Sequence, residues 1–232
     1  MGEMITVRTA DGDFGAYLAK PAAAAKAPAI VVIQEIFGVN GVMRRITDAL
    51  AQQGFLAVCP DLFWRIEPGV DITDQSDAEW KKAFALYNAF DVDLGVRDIA
   101  ATISYARQRP DCTGKVGAVG YCLGGLLAFL TATRTDVDAA VGYYGVGIES
   151  RLPEADKLAE PLMLHIAEED QFVPKAAQAQ IISALKNHPQ VRIFTYPGRD
   201  HAFARAGGEH YDAVDAGAAN ARTLDLFKKA LA

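Results

Sequence analysis

Short apolar runs alternate with segments of helical periodicity along most of this chain. A continuous apolar stretch predicts a strand covered on both faces at residues 29–33, and further short apolar-rich runs predict strands at residues 55–59, 116–119, 139–144, 162–167 and 191–196. Helical periods predict helices at residues 41–53, 92–103, 123–132, 174–187 and 210–231. Strands that alternate with helices favour the α/β class, with a mostly parallel central sheet and helices on both faces. Right-handed crossovers would then place functional loops beyond the carboxyl ends of the strands.

Two segments depart from this alternation. Residues 4–20 alternate between apolar and polar positions around Ala10-Asp11-Gly12, which predicts a β-hairpin with a tight turn. The alanine-rich residues 21–28 predict a loop, and residues 65–79 form a longer polar excursion with a loop at Pro68-Gly69. Because the pattern contains no internal repeat and no domain linker, residues 1–232 are expected to form a single domain.

The composition is that of an ordinary globular protein. Of 232 residues, 51% are hydrophobic and 22% charged, so the chain can bury a core without disulfide or metal staples. The net charge of −6 disfavours nucleic acid and anionic membranes as partners, since either requires a basic face. No apolar stretch reaches the ~18 residues of a membrane span, and the first residues lack a signal-peptide pattern. We therefore expect a cytoplasmic monomer whose partner is a small molecule.

The cysteines predict free thiols in a reducing compartment. Three cysteines are an odd number, no C-x-x-C pair occurs, and no spacing resembles a zinc site. We therefore expect neither a metal nor an organic cofactor. Cys59 lies in an apolar strand and is expected in the core. Cys112, in a polar loop beside Pro110-Asp111, has no evident role.

The segment around Cys122 has the pattern of a nucleophile elbow. An apolar strand leads into Gly120-Tyr121-Cys122-Leu123-Gly124, and a helix follows at once. The flanking glycines let strand and helix approach closely, and the helix N-terminus stabilises a thiolate and a developing oxyanion. The alternative is a buried structural cysteine in a chance glycine pattern, but the strand–turn–helix context favours a catalytic thiol.

The acid of a catalytic triad should follow the elbow, just past a later strand. The predicted strand at residues 162–167 runs into Glu168, Glu169 and Asp170. Asp170 is preferred because Gln171–Pro174 then starts a helix and fixes a tight turn. Either glutamate could reach the same place, and all three carboxylates could instead form a solvated acidic turn.

Among the four histidines, His201 has the position expected of the base, in the loop after the last predicted strand. His165 lies inside an apolar strand and is expected to be a hydrogen-bonded core residue. His188 precedes a proline at a helix end, and His210 opens the last predicted helix. Asp200 is a minor alternative for the acid, because a sequence neighbour rarely points back at the imidazole.

Four motifs together resemble the dienelactone hydrolases (carboxymethylenebutenolidases) of the α/β-hydrolase superfamily. They are Gln34–Gly38 (QEIFG), Gly120–Gly125 (GYCLGG), Asp170–Pro174 (DQFVP) and His201–Arg205 (HAFAR). The similarity spans nearly the whole chain, and the combination of a cysteine elbow with the first motif is specific. The resemblance implies the α/β-hydrolase fold. It also implies hydrolysis of a small unsaturated lactone or ester that bears a carboxylate, through a cysteine acyl-enzyme.

The resemblance also implies roles for single residues. Glu35 would hydrogen-bond the resting Cys122 thiol and shift on substrate binding so that the cysteine ionises; the alternative is a strand-end acid facing solvent. The backbone N–H groups of Ile36 and Leu123 would form the oxyanion hole. Arg205 would bind the substrate carboxylate through two parallel hydrogen bonds, against the alternative of a surface arginine.

One feature of the family is missing. Dienelactone hydrolases typically carry a second arginine where this chain has Ala78–Lys82 (AEWKK). Either Lys81 or Lys82 substitutes as a point charge, or the site accepts a different substrate. Aromatic residues that could line the pocket, although such residues are more often plain core, are Phe37, Phe84, Tyr87, Tyr144 and Phe172.

Two other classes of function compete with the hydrolase. A non-catalytic relative that binds a small molecule is disfavoured because a cysteine, an acid and a histidine occur in triad order. A thiol redox protein is disfavoured more weakly, because no resolving cysteine lies near Cys122 in the sequence.

Overall fold

The computed structural model describes residues 2–22 and 26–232. The chain divides into two compact units, one ending at Gly117 and the other beginning at Ala118. Part of the predicted loop at residues 21–28 lies outside the described residues, and Ala27 already begins a strand. The expectation of one domain over the whole chain stays a prediction.

Eight strands and six α-helices are seen in the described residues. The strands are β1 (Glu3–Thr9), β2 (Gly12–Ala19), β3 (Ala27–Ile33), β4 (Leu56–Pro60), β5 (Cys112–Tyr121), β6 (Ala139–Tyr143), β7 (Leu162–Ala167) and β8 (Val191–Tyr196). The helices are α1 (Gly41–Gln52), α2 (Asp77–Ala89), α3 (Val92–Gln108), α4 (Leu123–Arg134), α5 (Lys175–Leu185) and α6 (Ala213–Ala230). A 3₁₀ segment covers Ile148–Lys157. Within the described residues, no helix is both long and apolar enough to cross a membrane.

The first unit contains the predicted hairpin and the first parallel strand pair. β1 and β2 are antiparallel, and the turn closes where Thr9 pairs with Gly12. β2 continues antiparallel to β4, and β4 pairs in parallel with β3. Side chains that alternate along β2 contact helices on opposite faces of this sheet. Phe14 stacks on Trp64, whose indole N–H donates to Asp98 of α3, whereas Tyr17 hydrogen-bonds Asp48 of α1.

The second unit repeats this layering with parallel strands. β6 pairs in parallel with β7, and β7 with β8. Neighbouring residues of β6 contact different helices, as expected for a strand covered on both faces. A side-chain carbon at Gly142 would meet the backbone of Gly125 in α4, whereas the Tyr143 hydroxyl reaches Asn220 of α6. The predicted arrangement, parallel strands with helices on both faces, is confirmed.

Several predicted boundaries need correction. Helix α2 was not predicted, because its apolar face is weak, with Ala83 and Leu86 as its buried residues; Ser76 caps its first turn and its hydroxyl donates to Glu79. The 3₁₀ segment was also not predicted. β5 begins at Cys112 instead of Val116, so Cys112 is a buried strand residue and not part of a polar loop.

The last helix begins later than predicted. Asp212 caps α6 by accepting from the N–H groups of Val214 and Asp215. His210 therefore lies in the preceding loop and does not open the helix.

His165 is a core residue, as predicted, and belongs to a buried chain of hydrogen bonds. Its Nδ1 lies 2.7 Å from the Tyr196 hydroxyl, and its Nε2 lies 3.1 Å from Thr223 Oγ1. Arg222, which can only donate, bonds Tyr196. Tyr196 then donates to Nδ1, and the Nε2–H donates to Thr223. Burial, together with the nearby Arg222 charge, lowers the pKa of His165 to about 3, so this imidazole is neutral at physiological pH.

Candidate active site

Cys122 lies at a sharp bend between β5 and α4. Its backbone has φ 57° and ψ −116°, a left-handed φ that is strained for a residue with a side chain. Strand and helix approach so closely that a side-chain carbon at Gly120 would overlap the Gly124 carbonyl. The sequence places glycine where the turn has no room for a side chain, and the bend takes the form predicted for the elbow.

The start of α4 presents backbone N–H groups beside Cys122. No side chain caps this end of the helix, and the Cys122 carbonyl accepts from the N–H groups of Gly125 and Leu126. The Cys122 N–H is itself used, since it donates to the Tyr143 carbonyl at 3.1 Å. The Leu123 N–H belongs to the uncapped first turn, where the helix dipole favours negative charge. This end of the helix can therefore stabilise an anion next to the sulfur.

Asp170 and His201 form a buried acid–base pair in the second unit. His201 Nδ1 lies 2.9 Å from Asp170 Oδ2 and 3.1 Å from Oδ1, and both residues are at most 5% exposed. Asp170 Oδ1 also accepts from the N–H groups of Phe172 and Val173, so the turn that follows the acid fixes its carboxylate. A carboxylate held in this way fixes the imidazole tautomer with its proton on Nδ1.

The turn carrying Asp170 is further clamped by Gln178 of α5. Its amide nitrogen donates to the carbonyls of Glu168 and Val173, on either side of the acid. The sequence analysis did not single out Gln178. A signal was present, because Gln178 lies three and seven residues before the buried Ile181 and Leu185 and so falls on the buried face of α5.

The electrostatics of His201 depend on Cys122. Burial of the imidazole opposes its protonation, but the negative charge of the neighbouring Cys122 sulfur and the hydrogen bond to Asp170 raise its pKa to about 10. A hydrogen bond to the Cys122 sulfur also contributes to this rise in the pKa of His201. The imidazole is therefore coupled to the sulfur by charge and by a hydrogen bond, and His201 is protonated at physiological pH.

Two aromatic side chains pack against the imidazole of His201. Tyr144 meets it edge-on with ring centroids 5.0 Å apart, and Phe172 does so at 4.9 Å. Tyr144 directly follows β6 and has a positive φ of 38°. Both aromatic residues had been predicted as possible pocket residues, and both contact the candidate base.

Two of the other candidates for the triad acid bond different groups. Glu169 is exposed and pairs with Lys175 at 2.9 Å. Asp200 accepts from backbone N–H groups, including that of His201 itself. Asp170 is the carboxylate that contacts the imidazole.

Glu35, Ile36 and Phe37 follow β3 in the first unit. Glu35 is 1% exposed, so the alternative of a strand-end acid facing solvent is wrong. Ile36 and Phe37 are also buried, and Phe37 packs edge-on against Trp80 at 5.1 Å. Burial of a carboxyl group is costly unless other groups compensate it, which makes Glu35 a candidate for a functional role.

Arg205 is 7% exposed and is therefore not a surface arginine. It lies in the same loop as His201, and its N–H donates to the Ala202 carbonyl. The two lysines considered as substitutes for a second arginine differ from each other. Lys82 pairs with Glu67 at 2.6 Å, whereas Lys81 is exposed on α2.

The remaining cysteines and potential metal ligands provide no second site. Cys59 is fully buried in β4, and burial raises the pKa of its thiol well above the usual range. No disulfide is formed by Cys59, Cys112 or Cys122. Across the part of the chain that the structure describes, no group of three or more histidine, cysteine or carboxylate side chains is arranged to hold a metal ion.

Comparison with known proteins gives one consistent result. The family model of the "Dienelactone hydrolase family" matches residues 14–231. A protein of Azospirillum brasilense, provisionally named a carboxymethylenebutenolidase, is 50% identical over 231 residues, covering 95% of each chain. The carboxymethylenebutenolidase of Pseudomonas putida is 44% identical over 226 residues, covering 97% of this chain and 95% of that one.

A solved structure extends the similarity to the fold. A Klebsiella pneumoniae protein, provisionally named a dienelactone hydrolase, superposes with a TM-score of 0.87 at 25% identity. The match covers 99% of this chain and 98% of that protein. The expected α/β-hydrolase fold is thereby confirmed.

Proposed function

Since the chain belongs to the dienelactone hydrolase family and is a lactone hydrolase, we propose that it opens an unsaturated, carboxylate-bearing lactone through a Cys122 acyl-enzyme. The observation that carries this mechanism is the sulfur at a strained strand–helix bend, electrostatically coupled to a buried His201–Asp170 pair. Named relatives support the lactone as substrate class, because the enzyme from Pseudomonas putida is a carboxymethylenebutenolidase.

In the proposed reaction, the Cys122 thiolate attacks the lactone carbonyl carbon and a C–S bond forms. The Leu123 and Ile36 N–H groups stabilise the oxyanion. The ring C–O bond then breaks, and its electron pair leaves as an enolate that stays tethered to the thioester. Water adds next: its proton goes to the enolate, its oxygen bonds the acyl carbon, and the C–S bond breaks to return the thiolate. The product is a keto diacid.

This sequence predicts a preference for enol lactones. A tethered enolate can activate the water that hydrolyses the thioester, whereas a saturated ester releases an alcohol that cannot. We expect enol lactones to turn over faster than saturated esters of similar size. Equal turnover of a matched pair would count against the role of the enolate.

Glu35 is assigned the role of activating the cysteine. Its burial and its position two residues after β3 support a carboxylate that contributes to the ionisation of Cys122. Glu35→Gln should change the pH dependence of iodoacetamide alkylation at Cys122, because glutamine is similar in shape and carries no charge. An unchanged pH dependence of alkylation would show that Glu35 does not activate Cys122.

Arg205 is assigned to the substrate carboxylate, with Phe37 and Tyr144 as further substrate-binding residues. A guanidinium donates two parallel hydrogen bonds to a carboxylate, and a lysine cannot reproduce that geometry. Arg205→Lys should therefore raise KM for a carboxylated lactone more than for its methyl ester. An equal effect on both substrates would show that Arg205 does not recognise the carboxylate.

The experiment that tests the whole proposal is hydrolysis of 4-carboxymethylenebut-2-en-4-olide by the parent chain, Cys122→Ala and the control Cys112→Ala. We expect loss of turnover in the first variant and retention in the second, with both folded by circular dichroism. Turnover by Cys122→Ala within a few-fold of the parent would show that Cys122 is not the nucleophile. Sedimentation of the active protein tests the further proposal that it acts as a monomer.

A further inference from the structure

The triad acid and base of the second unit lie on different loops, 31 residues apart in the chain. Their separation of 2.9 Å therefore depends on what holds the loop after β7 against the loop after β8. One link is backbone to backbone, since the Glu169 N–H donates to the Arg199 carbonyl at 2.8 Å. A further link is a side chain, that of Asp200.

One oxygen of Asp200 connects the two loops directly beside the catalytic pair. Oδ1 accepts from the N–H of Gln171, the residue after Asp170, at 3.0 Å. The same Oδ1 accepts from the N–H of His201 at 2.6 Å. Hydrogen bonds to a carboxylate are the shorter and stronger kind, so this oxygen fixes the backbone next to both the acid and the base.

The loop that carries His201 requires such restraint. Ala202 has φ 63°, in the left-handed region that is unfavourable for alanine. A residue holds such a conformation only when its surroundings determine it. Downstream, the Asp212 N–H donates to the Phe203 carbonyl, and Arg199 pairs with Asp212 at 2.6 Å and Asp215 at 2.7 Å. These contacts anchor the loop to α6, and Asp200 connects it to the acid.

We propose that Asp200 is a positioning residue, whose Oδ1 sets the distance between Asp170 and His201 by bonding the backbone next to each. It does so without serving as the triad acid. The expected kinetic effect rests on the proposed function, whereas the geometry of the Asp170–His201 pair does not.

Two substitutions separate geometry from charge. Asp200→Asn keeps an oxygen acceptor at the same place and removes the charge. Asp200→Glu keeps the charge and moves the oxygens by one methylene. Asp225→Asn, which removes an exposed carboxylate paired with Lys229 on α6, is the control for loss of one negative charge.

The readouts are the kinetics on the carboxylated lactone and the proton NMR signal of the His201 Nδ1–H bonded to Asp170. We expect Asp200→Asn to stay within roughly threefold of the parent and to keep the signal. Asp200→Glu should lower kcat roughly 10- to 100-fold with little change in KM, because a misplacement of ~1 Å has effects of that size. Its NMR signal should shift or be lost.

The other outcomes overturn the proposal. An active glutamate variant beside an impaired asparagine variant would show that Asp200 acts by its charge. If both variants behave like the parent, or if both are equally impaired, the position of the Asp200 acceptor oxygen does not set the distance between Asp170 and His201. The NMR signal is read without turnover, so a failure of the proposed lactone chemistry would leave this test intact.

Discussion

Acid pH should destabilise the protein through His165. Its pKa falls from the ordinary value of 6.5 to about 3 in the folded state. Between these two pH values the unfolded chain therefore binds a proton at His165 that the folded chain does not bind. The stability contributed by the neutral imidazole is complete above pH 6.5 and is lost as the pH falls toward 3. Each pKa unit corresponds to about 1.4 kcal/mol, which gives a loss of about 2 kcal/mol between pH 7 and pH 5.

The assay is urea unfolding of the parent and of His165→Gln at both pH values. Glutamine keeps one donor and one acceptor but does not titrate, so the variant should be less stable at pH 7 by about 1–3 kcal/mol. The difference between parent and variant should then shrink by about 2 kcal/mol at pH 5. His188→Gln, at a half-exposed site beyond α5, is the control for loss of a histidine.

Parallel loss of stability in the parent and His165→Gln between pH 7 and pH 5 would refute the reasoning. It would mean that His165 is protonated in the folded state or that carboxyl groups account for the whole acid response. The tautomer supplies an independent check. The hydrogen-bond chain requires the proton on Nε2, which ¹⁵N chemical shifts of His165 can establish.

Further substitutions test the elbow, the charge coupling and the first unit. Gly120→Ala should abolish activity and destabilise the fold, because the new side-chain carbon overlaps the Gly124 carbonyl. The control Gly217→Ala, in open space on α6, should stabilise the protein by about 0.5–1 kcal/mol. Equal changes in melting temperature for the two variants would contradict the steric argument at Gly120. Cys122→Ala should lower the pKa of His201, because the sulfur charge is the largest influence that raises it. An unchanged pKa in an NMR titration of His201 would show that the two side chains are not coupled. Asp98→Ala should destabilise by about 1–3 kcal/mol, because the Trp64 indole N–H and the Arg65 guanidinium lose a buried acceptor; a loss under 0.5 kcal/mol in urea unfolding would show that these bonds contribute little.

The sequence predicted the parts of the fold that have strong periodicity. β7 and β8 begin and end at the predicted residues, because short runs that are mostly apolar and are bounded by turns leave little freedom of assignment. Helix α2 was not predicted because its apolar face is weak, with Ala83 and Leu86 as its buried residues. Its local signal was the capping pair Ser76 and Glu79, which a search for helix starts would have found.

The residues of the candidate site differ in how far the sequence could predict them. Chain order indicated Cys122 and His201 as candidates and limited the acid to Glu168, Glu169 or Asp170, with Asp170 preferred, because the elbow defines where the acid and base must follow. The structure then shows that Asp170 contacts the imidazole. The burial of Glu35 and Arg205 could not be derived from their neighbours in sequence, since it depends on how distant segments pack. Asp200 is a second example. Its position next to His201 in the sequence argued against a role as the triad acid, but it could not predict the hydrogen bond to the Gln171 N–H.

Two imidazoles in the same unit show that burial does not set charge by itself. His165 is 1% exposed and His201 is 3% exposed, yet the pKa of the first is lowered to about 3 and that of the second is raised to about 10. The first is bonded to hydroxyl groups near Arg222, whereas the second lies between the carboxylate of Asp170 and the Cys122 sulfur. A pKa of about 10 keeps His201 protonated at neutral pH, so a cation lies beside the sulfur. In the proposed mechanism the same pairing favours expulsion of the sulfur from the thioester, the step at which a cysteine acyl-enzyme would otherwise stall.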